Sequence, residues 1–171
     1  MTFENTAVVA IDMQKGILKL AAKKAVPHTV EELVASNEAV IKAALASSAP
    51  VILITVSKHY FPRGFAKRFK TLAFSEEILG SHGICEFTKY EPSAYSVSSF
   101  REYLEANQVK TIILTGVATS NGVLKTARDL VEHGYKVITV EDATDDMSLE
   151  RHNKAITELK QLGEVVQSTD L

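Results

Sequence analysis

Short runs of apolar, often β-branched residues alternate along the chain with longer segments whose apolar residues recur every three or four positions. This alternation is typical of a parallel sheet whose strands are connected by helices. The apolar runs predict strands at 7–11, 51–56, 84–88, 111–115, 137–140 and 165–166. The pattern therefore predicts an α/β fold, a three-layer α/β/α sandwich around a mostly parallel, six-stranded, Rossmann-like sheet.

The helical segments carry recognisable start and stop signals. Thr29 to Glu32 has the Thr-x-x-Glu form of a capping box and predicts a helix that runs to about Ser48. Further helices are predicted at 97–106, 121–133 and 149–162. We expect Ser120 to be the N-cap of the helix at 121–133, and Gly134 to end it.

The segment from Lys58 to Ser81 lacks such a pattern. Basic residues there interleave with phenylalanines in a stretch punctuated by glycine and proline, which predicts a loop acting as a lid or an interface. The residues concerned are Arg63, Lys67, Arg68 and Lys70 with Phe61, Phe65, Phe69 and Phe74. The basic group has two interpretations, a solvated face or a clamp for a carboxylate of the substrate, with Arg63 as a candidate contact.

Composition limits the classes of function. The chain has 171 residues, of which 46% are apolar, so we expect one domain over residues 1–171. The formal net charge of −2, with both signs interspersed, argues against nucleic acid or an anionic membrane surface and favours a small-molecule partner. The chain opens without a basic segment, and no apolar run approaches the ~18 residues that span a bilayer. We therefore expect a cytoplasmic protein with no membrane partner.

The candidate chemistry lies at strand ends. Asp12 follows the first predicted strand, Lys89 the third, and the turn from Gly116 to Gly122 the fourth. Ligands of open parallel sheets bind beyond the carboxyl ends of the strands, where the strand order reverses. With the order 3-2-1-4-5-6, the first and fourth strands flank that reversal, so these residues would share one site.

Three blocks at these strand ends resemble the isochorismatase-like (cysteine hydrolase) superfamily, which includes nicotinamidases, other amidases and isochorismatases. The blocks are Val-Ala-Ile-Asp-Met-Gln at 9–14, Lys-Tyr-Glu-Pro-Ser-Ala-Tyr at 89–95 and Leu-Thr-Gly-Val-Ala-Thr at 114–119. Similarity continues through Thr-Ala-Arg-Asp at 126–129 and Glu-Asp-Ala-Thr at 141–144, so it covers nearly the whole chain. The resemblance implies a hydrolase, and homo-oligomers are expected because relatives commonly assemble.

The resemblance also implies a triad of Asp, Lys and Cys. Asp12 and Lys89 match its first two members, but Gly122 stands where the nucleophilic cysteine is expected. Cys85, the one cysteine, lies four residues before Lys89 on the same strand, about 13 Å back. We therefore interpret Cys85 as a buried structural thiol, which leaves no thiolate for the acyl-enzyme route to amides.

Isochorismatases resemble this chain in having glycine at that position, and their reaction, the hydrolysis of an enol ether, needs no nucleophilic side chain. In this interpretation Asp12 is the general acid and Lys89 positions the substrate and balances charge. The resemblance further implies a cis peptide between Val117 and Ala118. The amides of Gly122 and Val123 are then expected to point into the pocket.

Substrate contacts are predicted at positions around these residues and in the loop after the second strand. They are Gln14, Val117, Ala118, Thr119, His59 and Arg63. Nicotinamidase-type relatives carry a metal site after the second strand, but Lys58 occupies the place of a carboxylate ligand here. We therefore predict no catalytic metal and no cofactor, with His59 at the pocket rim or on the surface.

Three alternatives remain open from the sequence. Asp12 is equally suited to capping a turn, and Lys89 to being an exposed lysine at a strand end. The loss of the cysteine is also compatible with an inactive family member that binds small molecules or serves in assembly. The third alternative is an amidase in which water replaces the thiolate.

Overall fold

The computed structural model describes residues 3–21, 26–57 and 71–171, and its centre is a six-stranded parallel sheet. The strands are β1 (Thr6–Ile11), β2 (Val51–Val56), β3 (Ile84–Lys89), β4 (Thr111–Val117), β5 (Lys136–Asp145) and β6 (Glu164–Val166). Their order is β3-β2-β1-β4-β5-β6, so the predicted order 3-2-1-4-5-6 is confirmed. The reversal falls between β1 and β4, as in other doubly wound sheets.

Helices cover both faces of this sheet, which confirms the predicted α/β/α sandwich. They are α1 (Lys15–Ala21), α2 (Val30–Ala46), α3 (Glu76–Leu79), α4 (Ser98–Ala106), α5 (Leu124–Glu132) and α6 (Leu149–Leu162). One apolar layer joins α1, α2 and α3 to the sheet, and a second joins α4, α5 and α6 to the other face. Because β1 and β4 are buried on both sides, their residues are predominantly apolar and show no alternation of apolar and polar positions.

The sequence predicted most boundaries but missed several local features. Helix α1 was not predicted, and α3 forms within the segment predicted as a loop. Strand β5 continues to Asp145 instead of ending at Val140, because an irregularity between Leu114 and Gly116 of β4 lets extra β5 residues bulge before pairing resumes. The capping box at Thr29 is confirmed, and so is Gly134 at the end of α5, with φ +86°.

The N-cap predicted at Ser120 is wrong. A π-helical turn, Thr119–Val123, precedes α5, and Ala118 stands before it without a side-chain cap. The Ser120 hydroxyl is buried and has no partner among the described residues. Single π turns inside helices recur at functional sites, and this one follows directly on the carboxyl end of β4.

Gly116 lets β4 approach β1 closely beside the site. Its φ is +105°, and a Cβ there would lie 2.1 Å from the carbonyl oxygen of Ile11. A side chain at this position would push the two central strands apart, so glycine is required for both reasons. This close approach sets the spacing between the residue that follows β1 and the residues that follow β4.

Across residues 3–21, 26–57 and 71–171, no helix is long and apolar enough to cross a bilayer.

Candidate active site

Asp12 occupies the turn that ends β1. Its backbone has φ +54°, a left-handed conformation that aspartate tolerates better than most residues. Its N–H donates to the carbonyl oxygen of Ile54 at 2.8 Å, which continues the pairing with β2 for one residue. The side chain is then directed over the carboxyl edge of the sheet, where its Oδ2 lies 2.9 Å from Lys89 Nζ.

Lys89 reaches Asp12 from the far side of β2. Strands β3 and β1 are separated by β2, so the Lys89 and Asp12 side chains together bridge a gap of two strand spacings, about 10 Å. Its ammonium also donates to the carbonyl oxygen of Pro92 at 2.7 Å, and the side chain is 1% exposed. The predicted meeting of Asp12 and Lys89 at one edge is therefore present in the structure.

Burial dominates the electrostatics of Asp12. Loss of hydration raises the pKa of this carboxyl to about 6, although the Lys89 ammonium and its hydrogen bond act to lower it. Oδ1 is buried and has no hydrogen-bond partner among the described residues. A carboxyl with this pKa exchanges its proton near neutral pH, which is the property required of a general acid or base.

Gln14 holds the end of β2 in place. Its Oε1 accepts from the N–H of Val56 at 2.8 Å, and its Nε2 donates to the carbonyl oxygen of the same residue at 3.1 Å. The side-chain amide thereby satisfies the backbone of β2 beyond the point where β1 turns away. These two bonds give the Gln14 amide a structural role. Contact of Gln14 with a substrate stays a prediction.

Gly122 lies beside the ion pair, within the π turn. A Cβ at this position would stand 3.4 Å from Asp12 Oδ2 and 2.9 Å from Ile11 Cγ2. A side chain at 122 would thus face the carboxyl, as the resemblance implies for the nucleophile position. The peptide between Val117 and Ala118 is cis, as predicted.

The expectation for the amide of Val123 is wrong. Its N–H donates to the carbonyl oxygen of Ala118 at 3.2 Å, within the turn, and the N–H of Asn121 donates to the same oxygen at 3.0 Å. The Val123 amide is therefore used in a hydrogen bond of the π turn and does not point into the cavity. A part for Gly122 in binding stays a prediction.

Two contacts that sequence reasoning missed hold the π turn on the side of α6 and of the segment after β5. Thr119 Oγ1 and His152 Nδ1 are 3.0 Å apart, both fully buried, and burial lowers the pKa of this histidine. The N–H of Ser120 donates to Asp146 Oδ2 at 2.7 Å. Thr119, predicted to contact substrate, therefore lies against α6 in the structure, and no spacing in the sequence connects it with His152.

A cavity of about 670 Å³ opens above the ion pair, a volume in the range of small-molecule sites. Its walls among the described residues are Asp12, Ile17, Val56, Ser57, Lys89, Tyr90, Glu91, Pro92, Val117, Ala118 and Asn121. Val117 and Ala118, predicted to contact substrate, line this cavity, and their contact with a substrate stays a prediction. Ser57, Tyr90 and Asn121 also line it and were not predicted. His59 and Arg63 lie outside the described residues, as do all residues from 58 to 70 of the segment predicted to act as a lid or an interface.

Cys85 is remote from this edge. In the pairing of β2 with β3, it stands opposite Ile52, while Lys89 stands opposite Val56, four residues further on. The thiol is half-buried, where full burial was predicted, and it donates to the carbonyl oxygen of Val51 at 3.6 Å. Burial raises the pKa of the thiol, which disfavours the nucleophilic thiolate.

The stretches 3–21, 26–57 and 71–171 contain no group of three histidine, cysteine, aspartate or glutamate residues that could hold a metal ion. Lys58, which occupies the place of a carboxylate ligand, and His59 lie outside those stretches. The absence of a catalytic metal stays a prediction.

The model of the isochorismatase domain matches residues 6–170. The chain belongs to the isochorismatase family. It is therefore an isochorismatase-like hydrolase, and the fold and the matched residues agree with the resemblance drawn from the three blocks.

Several relatives support the assignment. Isochorismatase family protein 2A of Dictyostelium discoideum is 28% identical over 170 residues, covering 98% of this chain and 80% of the relative. Maleamate amidohydrolase of Pseudomonas putida is 28% identical over 99 residues, covering 57% of this chain and 46% of the relative. A solved isochorismatase family protein from Burkholderia thailandensis superposes with a TM-score of 0.84 at 29% identity, covering 98% of this chain and 93% of that one.

Replacement of Lys89 by methionine tests the ion pair. Lys89→Met leaves the Asp12 carboxyl buried without its cation, so we expect the free energy of unfolding to fall by about 3 kcal/mol or more at pH 8, as measured by urea denaturation. The loss should be smaller at pH 5, where Asp12 is protonated, because its pKa in the variant lies above 6. Lys136→Met is the control, since its pair with Glu164 is exposed and should change stability by less than about 1 kcal/mol. Equal losses in the two variants would contradict a buried pair.

Proposed function

We propose that this hydrolase cleaves a small-molecule enol ether by general acid catalysis, with Asp12 as the acid and no side-chain nucleophile. The single observation that carries this proposal is the Asp12–Lys89 pair, buried beside Gly122 at the floor of a cavity. The pair supplies a proton donor and a fixed positive charge, and Gly122 supplies neither thiol nor hydroxyl. The family includes amide-cleaving members, but their cysteine has no counterpart in this cavity.

The reaction balances without a covalent enzyme intermediate. Protonated Asp12 donates its proton to the vinyl carbon of the substrate, whose π electrons form the new C–H bond and leave an oxocarbenium ion. A water molecule adds to the cationic carbon, and its surplus proton returns to the Asp12 carboxylate. As the hemiketal breaks its C–O bond to the leaving group, its hydroxyl proton passes to the leaving oxygen, which gives a ketone and an alcohol.

Lys89 stabilises the charge that develops during the first step. As Asp12 loses its proton, a carboxylate forms 2.9 Å from an ammonium group that a second bond, to the Pro92 carbonyl, holds in place. The interaction is stronger with the carboxylate than with the neutral acid, so it favours the transition state over the ground state. Because the ammonium is already positioned, little reorganisation accompanies the proton transfer.

The pH dependence of turnover tests the direction of proton transfer. A general acid with a pKa of about 6 is only about one-tenth protonated at pH 7, so kcat/KM should fall about tenfold per pH unit above pH 6 and level off below it. Asp12→Asn should lower kcat by about 100-fold or more while the protein still folds, as judged by circular dichroism, and should lower the thermal unfolding midpoint because the buried Lys89 loses its counter-charge. Isochorismate, nicotinamide and simple carbamoyl compounds form the substrate panel.

Glu132→Gln, at an exposed position of α5 outside the cavity, is the control and should keep full activity. Unchanged turnover in Asp12→Asn, or a rate that rises with pH through 6, would refute the acid role. Inactivity of the wild-type protein across the whole panel would instead favour the binding or assembly alternative.

Amide hydrolysis by water is the second candidate function. It is favoured by the identity shared with a maleamate amidohydrolase and by the 3.4 Å between a Cβ at 122 and Asp12 Oδ2, which would place a thiol within reach of the carboxyl. In that case Asp12 would act as a base.

A cytoplasmic location and a homo-oligomer stay predictions under either function.

Introduction of a cysteine at position 122 separates the two candidates. In a site shaped for enol ethers, Gly122→Cys and Gly122→Ala should each lower turnover by about 100-fold, because the new Cβ crowds Ile11 and the substrate beside Asp12. Neither variant should hydrolyse nicotinamide or maleamate. Amide hydrolysis in the cysteine variant that iodoacetamide abolishes, and that the alanine variant lacks, would show an amidase-shaped site.

A further inference from the structure

A second cavity, of about 210 Å³, lies beside the first on the β5 side of Val117 and Ala118. Ile17, Val117 and Ala118 line both cavities, so the two share a wall. The remaining walls are formed largely by apolar side chains of α1, α2 and the segment after β5. These side chains are Leu18, Leu20, Leu33 and Met147.

Two aspartates also border this cavity, but their carboxylates are held away from it. Asp145 Oδ1 lies 3.0 Å from His28 Nδ1, and its Oδ2 is fully buried and so does not reach the cavity surface. Asp146 accepts from the N–H of Ser120 with Oδ2 and from the N–H of Met147 with Oδ1. Both acids therefore present carbon atoms, and the cavity favours an apolar occupant.

The rim of the cavity exposes large apolar side chains. Leu20 is 66% and Met147 50% exposed, so together they give the mouth of the cavity an apolar surface. Because Ile17, Val117 and Ala118 line both cavities, a substrate bound over Lys89 and Asp12 lies next to this apolar space. This adjacency favours a part of the substrate itself as the occupant.

We propose that the second cavity binds a hydrocarbon group of the substrate hydrolysed at Asp12 and Lys89. The proposal rests on the proposed function and narrows its substrate class to an enol ether that carries an apolar group. Cavities of about 150 Å³ accommodate benzene, so about 210 Å³ suits a phenyl ring or an aliphatic chain of about six carbon atoms. The polar, reacting end then lies over the ion pair, and the apolar end lies between α1 and Met147.

Ligand-detected NMR with three primary amides, acetamide, hexanamide and phenylacetamide, tests the proposal at pH 7.5 without the need for turnover. We expect the two larger probes to bind at least about tenfold tighter than acetamide, since each buried methylene adds to affinity. In ¹H–¹³C spectra of the methyl-labelled protein, they should also shift the methyl signals of Leu18, Leu33 and Met147. The same gain in affinity should persist in Asp12→Asn, which separates this site from the catalytic proposal.

Met147→Glu places a charge at the rim and should reduce the gain to less than about twofold. Leu149→Glu is the matched control, because Leu149 is also 50% exposed, lies two residues further along and does not line the cavity. Leu20→Glu, at a more exposed rim position, provides a second variant if Met147→Glu fails to fold. Equal affinities for the three probes, or equal effects of the changes at 147 and 149, would overturn the proposal. A third result would also overturn it: the wild-type protein sediments as a dimer, the dimer dissociates in Met147→Glu, and the probes do not change its sedimentation. The rim would then be an interface between copies of the chain.

Discussion

The contact between Asp12 Oδ2 and Lys89 Nζ joins two charges that are removed from water. Dehydration penalises both, and mutual attraction with one further bond, from Lys89 to the Pro92 carbonyl, offsets that cost in part. For Asp12 the dehydration wins, because its pKa rises to about 6 despite the adjacent ammonium. The site therefore keeps a carboxyl that gains or loses a proton near neutral pH, and the proposed chemistry depends on this balance.

The sheet determines which side chains can take part. The residue after β1 lies two strands from the end of β3, so a long side chain such as lysine is needed at that end to meet the Asp12 carboxyl beyond β2. Gln14 satisfies the backbone of Val56 at that end, so β1 can turn away and direct Asp12 outward. Gly116 permits the close approach of β4 to β1, which brings Gly122 next to the carboxyl. Backbone geometry thus places each member of the site, and the cavity walls follow.

The sequence was sufficient for the sheet and the ion pair because both depend on patterns spanning several residues. Apolar runs marked the strands, and the placement of Asp12 and Lys89 followed from the order 3-2-1-4-5-6. Features that depend on single tertiary contacts could not be predicted from the sequence. Ser120 has an N-cap composition, yet a π turn held by His152 and Asp146 displaces the helix start. Strand β5 continues past Glu141 and Asp142, whose charges are typical of a loop, because its extra residues bulge beside β4 before pairing resumes at Thr144. Asp142 then accepts from the hydroxyl and the amide of Ser168.

Carboxyl-detected ¹³C NMR of wild-type protein labelled at aspartate tests the central claim most directly, with Asp12→Asn used to assign the signal. We predict that the Asp12 carboxyl titrates with a midpoint near pH 6, about two units above an ordinary aspartate, because burial outweighs the attraction of Lys89. A midpoint at or below 3.8 would contradict the account. It would mean that Asp12 is ionised throughout the neutral range, where it could pair with Lys89 but could not donate a proton.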